Sequence, residues 1–100
     1  MKKTPESIQK KAEIFRSLGH PARVQILILL KSQPKGKLSV TQIHEELGLT
    51  QPEASRHLSV LKNSSVLNSE KNGINTLYFI KDEHSFIHCL ANSLSKSQGK

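Results

Sequence analysis

Residues 39–62 read SVTQIHEELGLTQPEASRHLSVLK, and this stretch decides the fold. Apolar residues recur at helical spacing over 40–47, directly after a serine that can cap the first turn. Gly48 breaks this helix, and another begins at once, because Thr50 followed three residues later by Glu53 forms a capping box. Two short helices joined by a glycine-containing turn predict a helix-turn-helix.

The second helix of this motif, predicted over about 51–62, has two unlike faces. Ala54, Leu58 and Leu61 form an apolar stripe, which predicts the buried side. An ordinary solvated helix and a helix that reads DNA both expose a polar face of this kind, so the surrounding elements must decide between them. The residues of the opposite face are Gln51, Ser55, Arg56, Ser59 and Lys62.

A β-hairpin is predicted after the motif, over about 66–80. Two strand-like runs, Val66–Lys71 and Asn75–Ile80, flank Asn72-Gly73, the pair that best supports a type I′ turn. A hairpin that follows a helix-turn-helix forms a wing. The fold class is therefore mainly α with a small β-hairpin, a winged helix-turn-helix.

Two helices precede the motif. The first is predicted over about 5–18, with Thr4 as its N-cap and Pro5 at its first helical position. The second runs from His20-Pro21 to about Ser32, and its apolar residues cover nearly the whole circumference, which predicts a central buried helix. We expect residues 1–100 to form one domain.

The helices at the two ends of the chain are both predicted to be amphipathic. The apolar residues that recur at helical spacing on the first helix are Ile8, Ala12, Phe15 and Leu18. Those on the last helix, over about 83–95, are Ile87, Leu90, Ala91 and Leu94. These stripes exceed what so small a core can bury. We therefore expect a homodimer that is paired through the first and last helices.

The charge of the chain is unevenly distributed. Its 100 residues include 15 Lys+Arg and 8 Asp+Glu, a net charge of +7. Residues 1–38 hold nine basic and two acidic residues, whereas residues 39–100 hold six of each. Such an excess is typical of proteins with an anionic partner such as nucleic acid, although solvation alone also explains it.

Several classes of protein are excluded by the sequence. The longest apolar run, Ile26–Leu30, is far shorter than the ~20 residues of a membrane span, and no apolar stretch follows the basic N-terminus. The single cysteine cannot form an internal disulfide. A glycine-rich phosphate loop, a His-Glu-x-x-His motif and a serine elbow are all missing. We therefore expect a cytoplasmic protein without enzymatic activity, cofactor or membrane contact.

Two stretches resemble the arsenic-repressor (ArsR) family of bacterial transcription factors. FRSLGHPARVQIL at 15–27 resembles the opening of that family, LTQPEASRHLSVL at 49–61 resembles its recognition helix, and Tyr78 also fits the resemblance, which runs from about residue 12 to 90. It implies a homodimeric winged helix of order α-α-(β)-α-α-β-β-α. It also implies repression of operons by binding to an imperfect palindrome in double-stranded DNA.

The DNA-binding residues are expected on the second helix of the motif and on the wing. Gln51 suits adenine and Arg56 suits guanine in bidentate geometry. The N–H groups around Thr50 present the positive end of a helix to a phosphate. Lys71 is the only cation of the wing and is offset by Glu70, so we expect phosphate contacts there rather than deep insertion into the minor groove. The full set is Thr50, Gln51, Ser55, Arg56, His57, Ser59, Lys62, Lys71 and Asn72.

Two residues of the second helix have alternative roles. His57 either touches DNA or packs against the helices of the motif. Glu53 either completes the capping box or accepts a hydrogen bond from a cytosine amine, and capping is the favoured role.

Metal binding is not expected, although the resemblance raises the question. Ser39 and Thr41 stand where the family has a Cys-x-Cys pair. On the last helix Asp82 and His84 match one pair of a second family site, but its later positions are Ser95 and Gln98, which bind a divalent cation poorly. His88, one turn after His84, is the third weak candidate for a metal ligand, beside Asp82 and His84. Cys89 is expected to be buried or to lie in an interface.

Two alternatives to a simple repressor remain open. The first is a protein-interaction module with the same fold, such as an antagonist of another regulator, which the poorly charged wing and the neutral second part of the chain favour. The second is a repressor that is released by a metal bound on the last helix. Retention on duplex DNA would separate the first alternative from a repressor, and a metal titration would identify the second.

Overall fold

Four helices and three strands follow one another in this computed structural model, which describes residues 4–81 together with Ile87 and Cys89. Ile87 and Cys89 are helical, and the rest of the predicted last helix lies outside the described residues. None of the described helices is long and apolar enough to cross a membrane. In chain order the elements are α1 (Glu6–Ser17), α2 (Pro21–Ser32), β1 (Leu38–Ser39), α3 (Val40–Leu47), α4 (Gln51–Asn63), β2 (Leu67–Asn72) and β3 (Asn75–Ile80).

The helix-turn-helix formed by α3 and α4 begins and turns where the sequence predicts. The Ser39 hydroxyl accepts from the Gln42 N–H at 3.2 Å, and the Gln42 side chain accepts from the Ser39 N–H at 2.9 Å. Gly48 ends α3 in the left-handed conformation, with φ of 71°. A side chain with a Cβ is strained at that angle, so glycine suits this position.

The predicted start of α1 needs a correction. Pro5 occupies the N-cap position and no side chain caps the helix, so Thr4 is not the N-cap. The start of α2 agrees with the prediction, because His20 is its N-cap and the ring Nδ1 accepts from the Ala22 N–H at 3.1 Å.

The core is built around α2, as predicted. Ile26, Leu27 and Leu30 are buried on this helix and belong to one apolar cluster with residues of every other helix and strand. Ile87 is also fully buried in this cluster. The expectation that Ile87 belongs to a surplus apolar stripe is therefore wrong, because its side chain completes the core of its own chain.

The wing is part of a three-stranded antiparallel sheet with strand order β1-β3-β2. Asn72 pairs with Asn75, so the two-residue loop is Gly73-Ile74 rather than Asn72-Gly73. Gly73 has φ of 68° and Ile74 does not have a positive φ, which is the pattern of a type II′ turn rather than type I′.

The position of this turn follows from the burial of the strand residues. Leu67 lies opposite Ile80, and both are buried. A shift of one residue in either strand would turn its apolar side chains towards water, so core burial sets the register and overrides the local preference of Asn-Gly for a turn.

Candidate nucleic-acid interface

The two faces of α4 are separated as the sequence predicts. Ala54, Leu58 and Leu61 are completely buried and fix the helix to the core. The opposite face carries a row of exposed side chains with hydrogen-bonding groups and two positive charges. Its members are Gln51, Ser55, Arg56, Ser59 and Lys62.

The capping box at the start of α4 decides the roles of Thr50 and Glu53. The Glu53 carboxylate accepts from the Thr50 N–H at 2.9 Å and from its hydroxyl at 3.1 Å, and the Thr50 hydroxyl accepts from the Glu53 N–H at 3.2 Å. These hydrogen bonds, first of all that from the Thr50 backbone, lower the pKa of Glu53. Glu53 therefore has the capping role. The capping box engages the N–H groups of Thr50 and Glu53, and a phosphate contact at Thr50 stays a prediction.

His57 lies on the inner side of α4. Its side chain is buried, with 7% of its surface exposed, and its Nδ1 accepts from the Arg23 Nε–H at 3.2 Å. The His20 ring lies 4.5 Å away between centroids. The packing alternative therefore agrees with the structure, and a DNA contact by His57 is not supported.

The surroundings of His57 favour a neutral ring. Burial lowers the pKa of His57 most, and electrostatic interaction with His20, Arg23 and Arg56 lowers it further, while Glu53 opposes them. A neutral ring with an unprotonated Nδ1 can accept the hydrogen bond from Arg23, whereas the protonated ring has no acceptor. The contact therefore depends on the protonation state of His57.

Acidification is expected to destabilise the fold through His57. Because burial lowers the pKa of His57 in the folded state, its contribution to stability is complete above the unfolded pKa and is lost as the pH falls through the folded value. We expect the free energy of unfolding to fall more in the wild type than in a His57→Asn variant between about pH 7 and about pH 5. Urea denaturation at both pH values measures the difference, and equal losses in the two proteins would contradict the prediction.

The acidic residue of the wing has a different partner from the one that the sequence suggests. Glu70 pairs with Lys37 at 3.0 Å, and the Lys37 ammonium group lies 5.4 Å from the centre of the Phe79 ring. Lys71 and Asn72 are exposed near the loop, and their phosphate contacts stay a prediction. The ion pair joins residues that are 33 positions apart, so sequence reasoning placed Glu70 against Lys71 instead.

The tip of the wing is apolar, which the sequence analysis missed. Ile74 is 97% exposed, the highest exposure among the large exposed apolar residues of the described chain. The sequence feature that indicates an apolar loop is an isoleucine directly after the only glycine between the two strand-like runs.

No metal site is found among residues 4–81, Ile87 and Cys89, where His, Cys, Asp and Glu form no group of three or more. Ser39, at the first position of the missing Cys-x-Cys pair, instead caps α3. The weak metal candidates Asp82, His84 and His88 lie outside the described residues. Cys89 is exposed, so it is not buried within its own chain as one of the two expectations held.

The predicted dimer face of α1 is exposed in the single chain. Ile8 is 54% and Phe15 60% exposed, and Ala12 between them is exposed as well. Ile14 and Ser17, on another side of the helix, are the buried residues of α1. Ile8, Ala12 and Phe15 are therefore left exposed by the core, whereas Leu18, the last residue of the predicted stripe, packs against it.

Comparison with known proteins agrees with this geometry. A helix-turn-helix transcriptional regulator of Methanocaldococcus jannaschii is 38% identical over 78 residues, which cover 78% of this chain and 85% of that protein. The transcriptional repressor SmtB of Mycobacterium tuberculosis is 30% identical over 79 residues, or 79% of this chain, and the match spans about half of SmtB, 56%.

The same fold is found in a solved structure. The homodimeric winged helix-turn-helix DNA-binding domain of a possible ArsR-family regulator from Mycobacterium bovis has a TM-score of 0.76 at 21% identity, over 100% of this chain and 94% of that one. The family profile described as "Bacterial regulatory protein, arsR family" matches residues 20–69, which include α2, α3, α4 and the start of the wing. The chain therefore belongs to the ArsR family of helix-turn-helix transcriptional regulators.

Proposed function

We propose that the chain is a homodimeric repressor, each subunit a single winged helix-turn-helix domain, that binds a palindromic operator in double-stranded DNA through two copies of α4. The observation that carries the proposal is the exposed polar face of α4 on a helix whose other face is completely buried. The protein acts by binding in the cytoplasm and not by catalysis.

The side chains of α4 divide into two groups by their position. Gln51, Ser55 and Arg56 lie in the first turns, which are the part of a recognition helix that meets base edges in the major groove. Ser59 and Lys62 lie one and two turns later and reach phosphates. Phosphate contacts orient the protein, whereas base contacts supply its sequence preference.

The wing adds phosphate contacts outside the major groove. Lys71 and Asn72 are exposed near the loop, and the pairing of Glu70 with Lys37 leaves Lys71 without the opposing charge that its sequence neighbour suggested. A lysine of this kind strengthens binding to any DNA sequence.

Dimerisation follows from the exposed stripe of α1. Ile8, Ala12 and Phe15 present apolar surface that the core leaves uncovered, and the related Mycobacterium bovis domain is described as homodimeric. Together with the last helix, predicted over about 83–95, this stripe pairs two subunits. Two-fold symmetry then places the half-sites about 34 Å apart, one turn of DNA, or at a multiple of that distance.

Selection from a pool of random duplexes tests this function. We expect the retained sequences to share a dyad-symmetric motif. Retention of duplexes without dyad symmetry would contradict the paired arrangement of α4. Failure to retain any duplex at moderate salt would instead favour the protein-interaction module.

An Arg56→Ala variant tests the reading face of α4. Loss of a bidentate contact to guanine costs about 1–3 kcal/mol of discrimination, so we expect weaker operator binding and relaxed selectivity at one base pair in each half-site. A Lys35→Ala variant is the control, because it removes the same charge at an exposed position in the turn after α2. Competition binding with single-base operator variants measures both proteins, and equal selectivity in the two would remove Arg56 from the base contacts.

A further inference from the structure

One guanidinium group joins three helices on the inner side of the DNA-binding face. Arg23 lies in the first turn of α2 and donates from Nε to Nδ1 of His57, in the middle of α4, at 3.2 Å. It also donates from Nη1 to the carbonyl oxygen of Ser17, the last residue of α1, at 3.2 Å. The guanidinium therefore contacts both the end of α1 and the inner side of α4.

The position of Arg23 in the chain suggests another role at first. A basic residue near the start of α2 could bind a DNA phosphate. The structure favours an internal role, because Arg23 is half-buried and two of its donor groups are directed to protein atoms. The partner His57 is itself buried and is flanked by the His20 ring, so the contact lies within the protein.

We propose that Arg23 is a positioning residue that couples the orientation of α4 to the end of α1 through His57. The proposal rests on the proposed function, in which α4 reads DNA and α1 forms the dimer interface. The planar guanidinium fixes the direction of each of its hydrogen bonds. A change in how two copies of α1 pair is thereby transmitted to the reading helix through a short chain of contacts.

The dependence of operator affinity on salt separates positioning from phosphate binding. A lost phosphate contact reduces the slope of log affinity against log salt by about one, and we expect this for Lys62→Met. For Arg23→Met we expect affinity to fall by about tenfold or more with an unchanged slope, since α4 is misplaced and no phosphate contact is lost. A slope reduced by about one in Arg23→Met would overturn the proposal.

Substitutions of His57 test the partner. His57→Leu fills the buried site without an acceptor and should weaken binding as Arg23→Met does. His57→Asn keeps an acceptor oxygen close to the position of Nδ1 and should retain affinity near the wild type. The double variant Arg23→Met/His57→Leu should bind no more weakly than the weaker single variant, because the two residues act as one unit. Additive losses, or equal losses in the Leu and Asn variants, would overturn the coupling.

Hydrogen exchange in the free protein keeps this test independent of DNA binding. We expect Arg23→Met to reduce the protection of amides in α4, and Lys35→Met, an exposed control in the turn after α2, to leave it unchanged. If the wild type binds no duplex, the proposed function fails, while the exchange measurement still decides the coupling. Unchanged protection of α4 in Arg23→Met would overturn the proposal whatever the DNA result.

Discussion

A Phe15→Glu variant is expected to be monomeric and to bind a two-half-site operator at least about a hundredfold more weakly than the wild type, since linked binding sites gain roughly 10²–10⁴ in avidity. Phe15 is 60% exposed on α1, and Ile8 on the same stripe is 54% exposed. Across a two-fold axis the substitution buries a carboxylate from each subunit in an apolar interface, where neither has a partner. Each monomer would then meet only one half-site.

Analytical ultracentrifugation and operator titration measure this result together. Lys10→Gln is the matched control, because it lowers the net charge by the same single unit on the opposite side of α1. We expect the control to remain dimeric and to lose only a small part of its affinity, through weaker long-range attraction. A dimeric Phe15→Glu with wild-type affinity would place the interface elsewhere.

Leu58→Ala is expected to lower the free energy of unfolding by about 2–5 kcal/mol, as is typical of leucines truncated in a packed core. Leu58 is completely buried and anchors α4 at its centre. A small domain has only about 5–15 kcal/mol of stability in total, so this single change removes a large share of it. Urea denaturation at one fixed protein concentration measures the loss, because dimerisation makes stability concentration-dependent.

Ser59→Ala is the control for this substitution, one position further along the same helix. Ser59 is exposed, and surface substitutions of this kind usually change stability by less than about 0.5 kcal/mol. The two variants therefore compare a residue of the buried face, which packs α4 against the core, with a residue of its exposed face. A loss in Leu58→Ala no larger than that in Ser59→Ala would contradict the assignment of the two faces.

The parts of the fold that depend on neighbouring residues could be predicted from the sequence. Ser39 and Thr50 cap their helices as predicted, because a capping box is closed by residues three positions apart. The burial of Leu58 followed from its spacing with other apolar residues. Local periodicity and capping were therefore enough to identify the helix-turn-helix and to divide its second helix into two faces.

The parts that depend on distant residues could not be predicted in this way. Asn72-Gly73 is a stronger local turn signal than Gly73-Ile74. The pairing of β2 with β3 and the burial of their apolar residues nevertheless set the register and place the loop one residue later. The partner of His57 is Arg23, 34 positions away, so the sequence left the role of the histidine open between DNA and protein. The Glu70 carboxylate likewise has a partner, Lys37, that only the folded sheet brings near.

Ser39 belongs to two elements at once, since it ends β1 and caps α3. Strand β1, which pairs with β3 of the wing, thus continues directly into the helix-turn-helix. Lys37, the residue before β1, also forms a salt bridge with Glu70 of β2. Because β1 pairs with β3 and continues into α3, we expect the wing and the helix-turn-helix to keep a constant separation. In an operator complex, the number of base pairs between the bases read by α4 and the backbone touched by the wing would be set by the protein, and an inserted base pair between them would cost one of the two contacts.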